Sequence, residues 1–334
     1  MRLIIEAPLF ASAQLQRDPF ALPTLWQLCL DRTCHYISVD PPDAVEFREW
    51  LNGLPAQGRE RERIEFLLEE GVQRQARDAS TTVIRIADVP DVDWSGKVPR
   101  FSLGTANALL REPLSVVIEG VHDETFLKAS VPFIYRERFE TWSRSRCFKL
   151  EHRGGIQNLR HVLAKENLTP ELCLRLFVML DSDARKRGEP SSDSRRLANT
   201  CAHHGLPHHQ LERRAIENYI PEPALKHWLG QQHARDFDEK WLAKLHAFRS
   251  LSEEQRHHYN MKHGLKKDRK SAEGVADIFE PLIAQQPDKA ALLEEGFSSI
   301  VARAFHERIE ENAFTEDGQR PELMRLFETM LRAA

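Results

Sequence analysis

Two segments of the chain are apolar at almost every position, LSVVIEG at 114–120 and LRLFVMLDSDAR at 174–185, and each run stops on carboxylates. Short apolar runs bounded by turn residues predict strands buried on both faces, the pattern of a parallel sheet covered by helices. The intervening pattern agrees. HDETFLKASVPFIYRERFETWSR has helical spacing with a bend at Pro132, CFKLEHRGG predicts a strand ending in Gly154 and Gly155, and IQNLRHVLAKEN predicts an amphipathic helix. Beyond the second run, SRRLANTCAHHG predicts a helix closed by Gly205, and HHQLERRAIENYIP a further strand or strand and turn. Strands separated by helices of ten residues or more imply right-handed crossovers and an α/β fold with a parallel sheet.

The flanks are patterned differently. Residues 1–112 mix the strand-like RLIIEAPLF and TTVIRIADV with LPTLWQLCLDRTCHYISV and the charged helices DAVEFREWL and ERERIEFLLEEGVQRQARD. PDVDWSGKVPR, rich in Pro, Gly and Asp, predicts a linker or long turn. After Pro223 nearly every segment, among them FDEKWLAKLHAFRSL and SSIVARAFHERIEEN, has helical periodicity. A chain of 334 residues exceeds what one hydrophobic core normally supports, ~250–300 residues, so three parts are expected. These are a mixed α/β N-terminal domain at 1–112, an α/β domain at 113–223 and a helical region at 224–334.

Composition narrows the chemistry only modestly. With 47 basic and 51 acidic residues the chain has a formal charge of −4, so any contact with nucleic acid must come from local patches. Five cysteines without CxxC spacing read as reduced thiols, not a disulfide framework or zinc site. MRLIIEAPLFASA is broken by Glu6 and Pro8 too early for a signal peptide, and no apolar run is long enough for a membrane helix. A cytoplasmic location without membrane association is the expectation.

The carboxylates at the strand ends change this picture. Open parallel sheets bind ligands at the C-terminal ends of their strands. Glu119 ends the first apolar run, Asp123 follows within a turn, Asp181 and Asp183 end the second, and Glu217 lies in the next candidate strand, RRAIENYI. Alone, an Asp-Ser-Asp turn is a common solvated feature. Four or five carboxylates gathered at one sheet edge repel one another unless cations neutralise them, and hard divalent ions with oxygen ligands, Mg²⁺ or Mn²⁺, suit such a donor set. Two ions of this kind can stabilise the attacking and leaving oxygens of a phosphoryl displacement.

The ordered set VVIEGVHD, EHRGGIQN, FVMLDSDA and RRAIENYI resembles the Toprim domain, the metal-binding fold of topoisomerases and primases. Its Glu-Asn-Tyr version is similar to the Toprim nucleases of the OLD (overcoming lysogenization defect) family and related standalone bacterial anti-phage effectors. The likeness covers about 110 residues, a third of the chain. It implies that Glu119, Asp123, Asp181, Asp183 and Glu217 hold two Mg²⁺ or Mn²⁺ ions and that Gly120, Gly154 and Gly155 shape the site's turns. It also implies a downstream basic residue at the scissile phosphate, for which Lys262, Lys266 and Lys267 in NMKHGLKKDRK are the candidates. The implied activity is nuclease action on DNA or RNA, as the toxic effector of an anti-phage system.

OLD proteins carry an ATPase, yet this chain has no GxxxxGK[ST] loop: SGKVPR and HGLKKD lack the spacing. A separate ATPase subunit and assembly as a homodimer or larger complex are therefore expected. Arg185, Lys186 and Arg187, directly after the Asp-Ser-Asp turn, and Arg214 are candidates for phosphate-backbone contact, against the ordinary reading of solvated charge. CAHHGLPHHQ has paired histidines, which do not fit zinc spacing. The rival reading is a Toprim module that binds nucleic acid or protein without cutting; a topoisomerase or primase lacks the companion modules it would need.

Overall fold

The computed structural model describes residues 1–55, 58–77, 82–152, 169–232, 239–271, 274–316 and 318–334. Nine strands form two sheets among them. In the N-terminal part, β1 (Arg2–Glu6), β2 (Tyr36–Asp40), β3 (Val83–Ile86), β4 (Val92–Asp93) and β5 (Arg100–Phe101) lie in the order β2-β1-β3-β5-β4. All neighbours are parallel except β4 and β5. Helices α1 (Ala21–Asp31), α2 (Val45–Gly53), α3 (Arg59–Arg77) and α4 (Leu103–Arg111) accompany this sheet. The stretch expected to be a linker is part of it instead. Val92 pairs with Phe101 and Asp93 with Arg100 across PDVDWSGKVPR, Phe101 is fully buried, and Arg100 donates to Glu6 Oε2 at 2.6 Å. An ion pair to β1 and an aromatic anchor outweigh the turn-forming composition.

The second sheet is wholly parallel, in the order β7 (Phe148–His152), β6 (Leu114–Ile118), β8 (Leu176–Leu180), β9 (His208–Gln210). Every residue of β6 and β8 is buried, as their unbroken apolar character requires. The period of two divides them between two faces. Val117, Val178 and Leu180 pack with Leu197 and Cys201 of α7 (Ser192–His203). Val116, Ile118, Phe177 and Met179 face α5 (Val121–Ser130), α6 (Phe133–Arg144) and the C-terminal helices. Val131 and Pro132 separate α5 from α6, the bend expected from the proline.

Residues 224–334 share one core with this sheet. A single apolar cluster takes in residues from Leu114 to Ala334 together with Cys34, whereas the N-terminal cluster is built on residues from Met1 to Leu110. The helical segment, with α8 (Glu222–Gln232), α9 (Glu239–Arg249), α10 (Glu253–His258), α11 (Gly264–Arg269) and α12 (Arg320–Ala333), is thus the cover of the sheet's second face. No helix among the described residues is long and apolar enough to cross a membrane.

RRAIENYI departs from its expected strand. The last strand ends at Gln210, and Ile216–Tyr219 is a short 3₁₀ helix. Asn218 accounts for the difference. Its Oδ1 accepts from Ala215 N–H at 3.2 Å, and its Nδ2 donates to the carbonyls of Arg256 and Tyr259, both at 2.9 Å. Side-chain bonds of this kind compete with a strand ladder for the same backbone.

Tyr219 fastens the same turn to α12. Its hydroxyl donates to the buried carboxylate of Glu322 at 2.6 Å, which also accepts from Glu212 N–H at 2.7 Å. Removing the hydroxyl leaves a buried charge short of one donor. Tyr219→Phe is therefore expected to lower unfolding free energy by about 1–3 kcal/mol in chemical denaturation. An unchanged denaturation midpoint would show that this bond does not hold α12 in place.

Candidate metal centre

The pairing of β6 with β8 brings two acidic strand ends together. Val117 is level with Val178, so the chain leaves the sheet at Glu119 on one strand and at Asp181 on its neighbour. Asp181 N–H donates to Glu119 Oε1 at 3.2 Å. Asp123, at the third position of α5, folds back to accept from Gly120 N–H at 2.5 Å and is buried. Such a cap satisfies an otherwise orphaned donor at the helix start.

Glu217 enters from the 3₁₀ turn. It is 3% exposed, and its Oε1 lies 2.9 Å from Lys262 Nζ. Asn218 brings that lysine here, because it grips the carbonyls of Arg256 and Tyr259 just upstream of it. Asp181 Oδ1 accepts from Ile216 N–H at 3.2 Å, linking the turn to the β8 end. Each residue of Glu-Asn-Tyr thus acts in a different direction: Glu217 to the acids, Asn218 to the lysine segment, Tyr219 to α12.

The Asp-Ser-Asp loop is shaped by its middle residue. Ser182 is buried; its hydroxyl donates to the Arg213 carbonyl at 2.7 Å and accepts from Ala184 N–H at 3.1 Å. Asp183 N–H bonds the Arg214 carbonyl at 2.7 Å, and Asp183 holds φ at 49°, in the left-handed region that aspartate tolerates better than most side chains. Ser194 Oγ donates to the Asp181 carbonyl at 2.6 Å and itself accepts from Gln210. Pattern reading passed over Ser182, Ser194 and Asn218, since their partners come from distant segments.

The electrostatics follow from five carboxylates meeting one close ammonium. Burial, then repulsion from Asp123, pushes Glu119 up to about 7. Burial with the Glu217 charge pushes Asp123 up to about 6, against the Gly120 hydrogen bond. Asp181 stands well above the usual carboxylate range, through burial and then Glu119, Asp123 and Glu217. Asp183 is the exposed member of the group; partial desolvation raises it, while Arg214, Lys262 and Lys267 oppose the rise. Burial works against the charge on Lys262, but Glu217, Asp181 and Asp123 outweigh it and hold the ammonium above its ordinary value.

The basic candidates are placed unevenly. Lys262 is in the cluster, whereas Lys266 is exposed and lies 3.4 Å from Glu295. Arg214, proposed for phosphate contact, is instead a partly buried tie, with Nη1 and Nη2 each 2.7 Å from an oxygen of Asp268. Arg185 donates to Ser271 Oγ at 2.7 Å and the Gly274 carbonyl at 2.6 Å, and Lys186 pairs with Asp277 at 3.2 Å and Glu189 at 3.3 Å. These three fasten the loop to the C-terminal segment. Arg187 is exposed. Gly120 is extended, and an added Cβ there would meet only Asp123 Oδ2 at 3.8 Å, so the turn does not depend on glycine. Gly154 and Gly155 lie outside the described residues. His122, which pattern reading did not select, has Nδ1 buried without a hydrogen bond and senses the Glu217 charge.

Carboxylate oxygens in this number suit a hard divalent cation in charge and donor type. Among the described residues, however, no three His, Cys, Asp or Glu side chains converge as a ready-made ion cage. Asp123 turns to Gly120, Asp181 to Ile216 and Glu217 to Lys262. Holding an ion requires these side chains to exchange those partners for it. In comparisons with known proteins, no family model, curated protein or solved structure matches the chain.

The pH dependence has a definite sign. Glu119 and Asp123 have folded pKa values above their unfolded ones, so their ionisation costs stability, a penalty absent below the unfolded values and complete above about 7. In EDTA, the melting temperature is expected to rise as pH falls from about 8 to 5.5. Mn²⁺ should stabilise more at the higher pH, where protons do not compete for the acids. Asp181→Asn, which keeps the acceptor for Ile216 N–H, should raise the melting temperature at pH 8 in EDTA and blunt the Mn²⁺ response. A Mn²⁺ shift equal in wild type and variant would remove Asp181 from the ligand set.

Proposed function

We propose that this chain is a divalent-metal-dependent nuclease of the Toprim type, hydrolysing phosphodiester bonds in DNA or RNA. The observation that carries the reading is the junction of Glu119 and Asp181 at neighbouring parallel strand ends, with Glu217 and Lys262 brought in beside them. Mg²⁺ or Mn²⁺, held by Glu119, Asp123, Asp181, Asp183 and Glu217, would supply the positive charge and Lewis acidity that phosphoryl displacement needs. Lys262 is positioned to neutralise charge on a phosphate oxygen, releasing Glu217 as it does so. Glu119, at the strand edge beside Asp181, is suited either to hold an ion or to accept a proton from an attacking water. The pairing with a separate ATPase subunit and the role of a toxic anti-phage effector extend the same reading and rest on the sequence resemblance alone.

A second reading has its own support. Lys262 already neutralises Glu217, and no ready-made cage exists among the described residues. Both features suit a module that binds nucleic acid or protein without cutting it.

Cleavage assays with Mn²⁺ on plasmid, linear DNA and total RNA separate the two. On the nuclease reading, Glu119→Ala and Asp181→Ala each lower activity by about 10²-fold or more while remaining folded, as removal of transition-state charge stabilisation does. Activity retained in either variant removes that residue from the catalytic set. An inert wild type under all of these conditions favours the binding module.

A further inference from the structure

The C-terminal segment lines an open cavity of about 810 Å³ whose wall carries Lys240, Lys244, Lys262, Lys266, Lys267 and Lys270. Concentrating six ammonium groups around one concavity opposes folding, since like charges repel. Acids offset part of this: Glu295 lies 3.4 Å from Lys266 and Glu217 lies 2.9 Å from Lys262, while Glu294 is engaged by Arg269 at 2.7 Å. Lys267 and Lys270 have no ion-pair partner among the described residues. The wall also contains Trp241 and Phe297. Lys244, 7% exposed, lies across both rings, 5.1 and 5.5 Å from their centroids, and donates to the Gly296 carbonyl at 2.6 Å.

The cavity is built, not a gap between loose segments. Residues 261–266 and 293–297 run against each other through the hydrogen bonds Phe297 N–H to Met261 O at 2.7 Å and Lys266 N–H to Glu294 O at 2.9 Å. Two glycines make the approach possible. A Cβ on Gly264 would lie 2.4 Å from the Glu294 carbonyl oxygen, and one on Gly296 would lie 2.3 Å from Lys262 C. Lys262 belongs to both this wall and the acidic cluster, through its 2.9 Å contact with Glu217. Cavity and cluster therefore adjoin.

We propose that the cavity binds a single-stranded segment of nucleic acid, with its lysines on the phosphates and Trp241 against a base. The strand would leave the cavity past Lys262 and bring its next phosphodiester to Glu119, Asp181 and Glu217. That last step rests on the nuclease reading; the binding does not. A basic wall interleaved with aromatic rings is the usual match for a single strand, whose phosphates meet the cations while an unstacked base meets a ring.

Fluorescence anisotropy of a short labelled single strand, in EDTA so that nothing is cut, tests this directly. Lys267→Glu combined with Lys270→Glu is expected to weaken binding roughly tenfold or more and to flatten the dependence of affinity on salt, by about 0.7 in the logarithmic slope for each phosphate no longer neutralised. Trp241→Ala should weaken binding without changing that slope. Asp181→Asn, which leaves the cavity intact, should bind at least as well as wild type. Equal affinity of wild type and the double lysine variant overturns the proposal, as does displacement of the strand by a nucleoside triphosphate at the same concentration, which would mark a small polyphosphate site. Cleavage lost in Asp181→Ala with binding intact upholds both readings, whereas binding without cleavage in wild type defeats the nuclease reading alone.

Discussion

The energetic problem this fold must accommodate is like-charge crowding at one edge of a parallel sheet. Pairing β6 with β8 in register carries Glu119 and Asp181 to the same edge, and the chain adds Asp123, Asp183 and Glu217 there. A hydrophobic sheet gains nothing from such a cluster, and burial pushes Glu119, Asp123 and Asp181 toward protonation. The surrounding structure answers with backbone N–H groups from Gly120, Asp181 and Ile216 and with the ammonium of Lys262. A costly charge cluster kept within an otherwise apolar architecture is what the function proposed above would require of this edge.

That ammonium reaches the acids because the C-terminal helices share one apolar core with the sheet. Lys262 is 45 positions beyond Glu217, so its placement depends on everything between them. Asn218 ties the 3₁₀ turn to Arg256 and Tyr259, Arg214 grips Asp268 on α11, and Tyr219 binds Glu322 on α12. The acidic edge and its basic complement are thus positioned by one continuous polar network laid over an apolar cluster running from Leu114 to Ala334. The lysine cavity adjoins this network, and Lys262 is the residue common to both.

Much of the second sheet was legible beforehand for a simple reason. β6 and β8 are buried on both faces, so their apolar runs have no alternation to blur them, and carboxylates at their ends can only lie at an edge. Short elements held by side chains were not legible in the same way. PDVDWSGKVPR reads as a turn until Arg100 finds Glu6, and RRAIENYI reads as a strand until Asn218 bonds three backbone groups from two directions. The basic residues were the least legible, because a lysine or arginine looks alike in sequence whether it meets solvent, a structural carboxylate or a ligand. Arg214 reaches Asp268 and Lys262 reaches Glu217, a difference that nothing local to either residue announces.

The sequence by itself determined the parallel α/β core and the acidic strand ends, because these depend on local periodicity and on charge type. Only the tertiary structure decided which of the many basic side chains shares the acids' environment, that Ser182 and Asn218 hold the loops, and that six lysines surround one cavity. Those outcomes depend on contacts between segments tens of residues apart. Their energy comes from burial and hydrogen-bond partners that no local stretch of sequence contains.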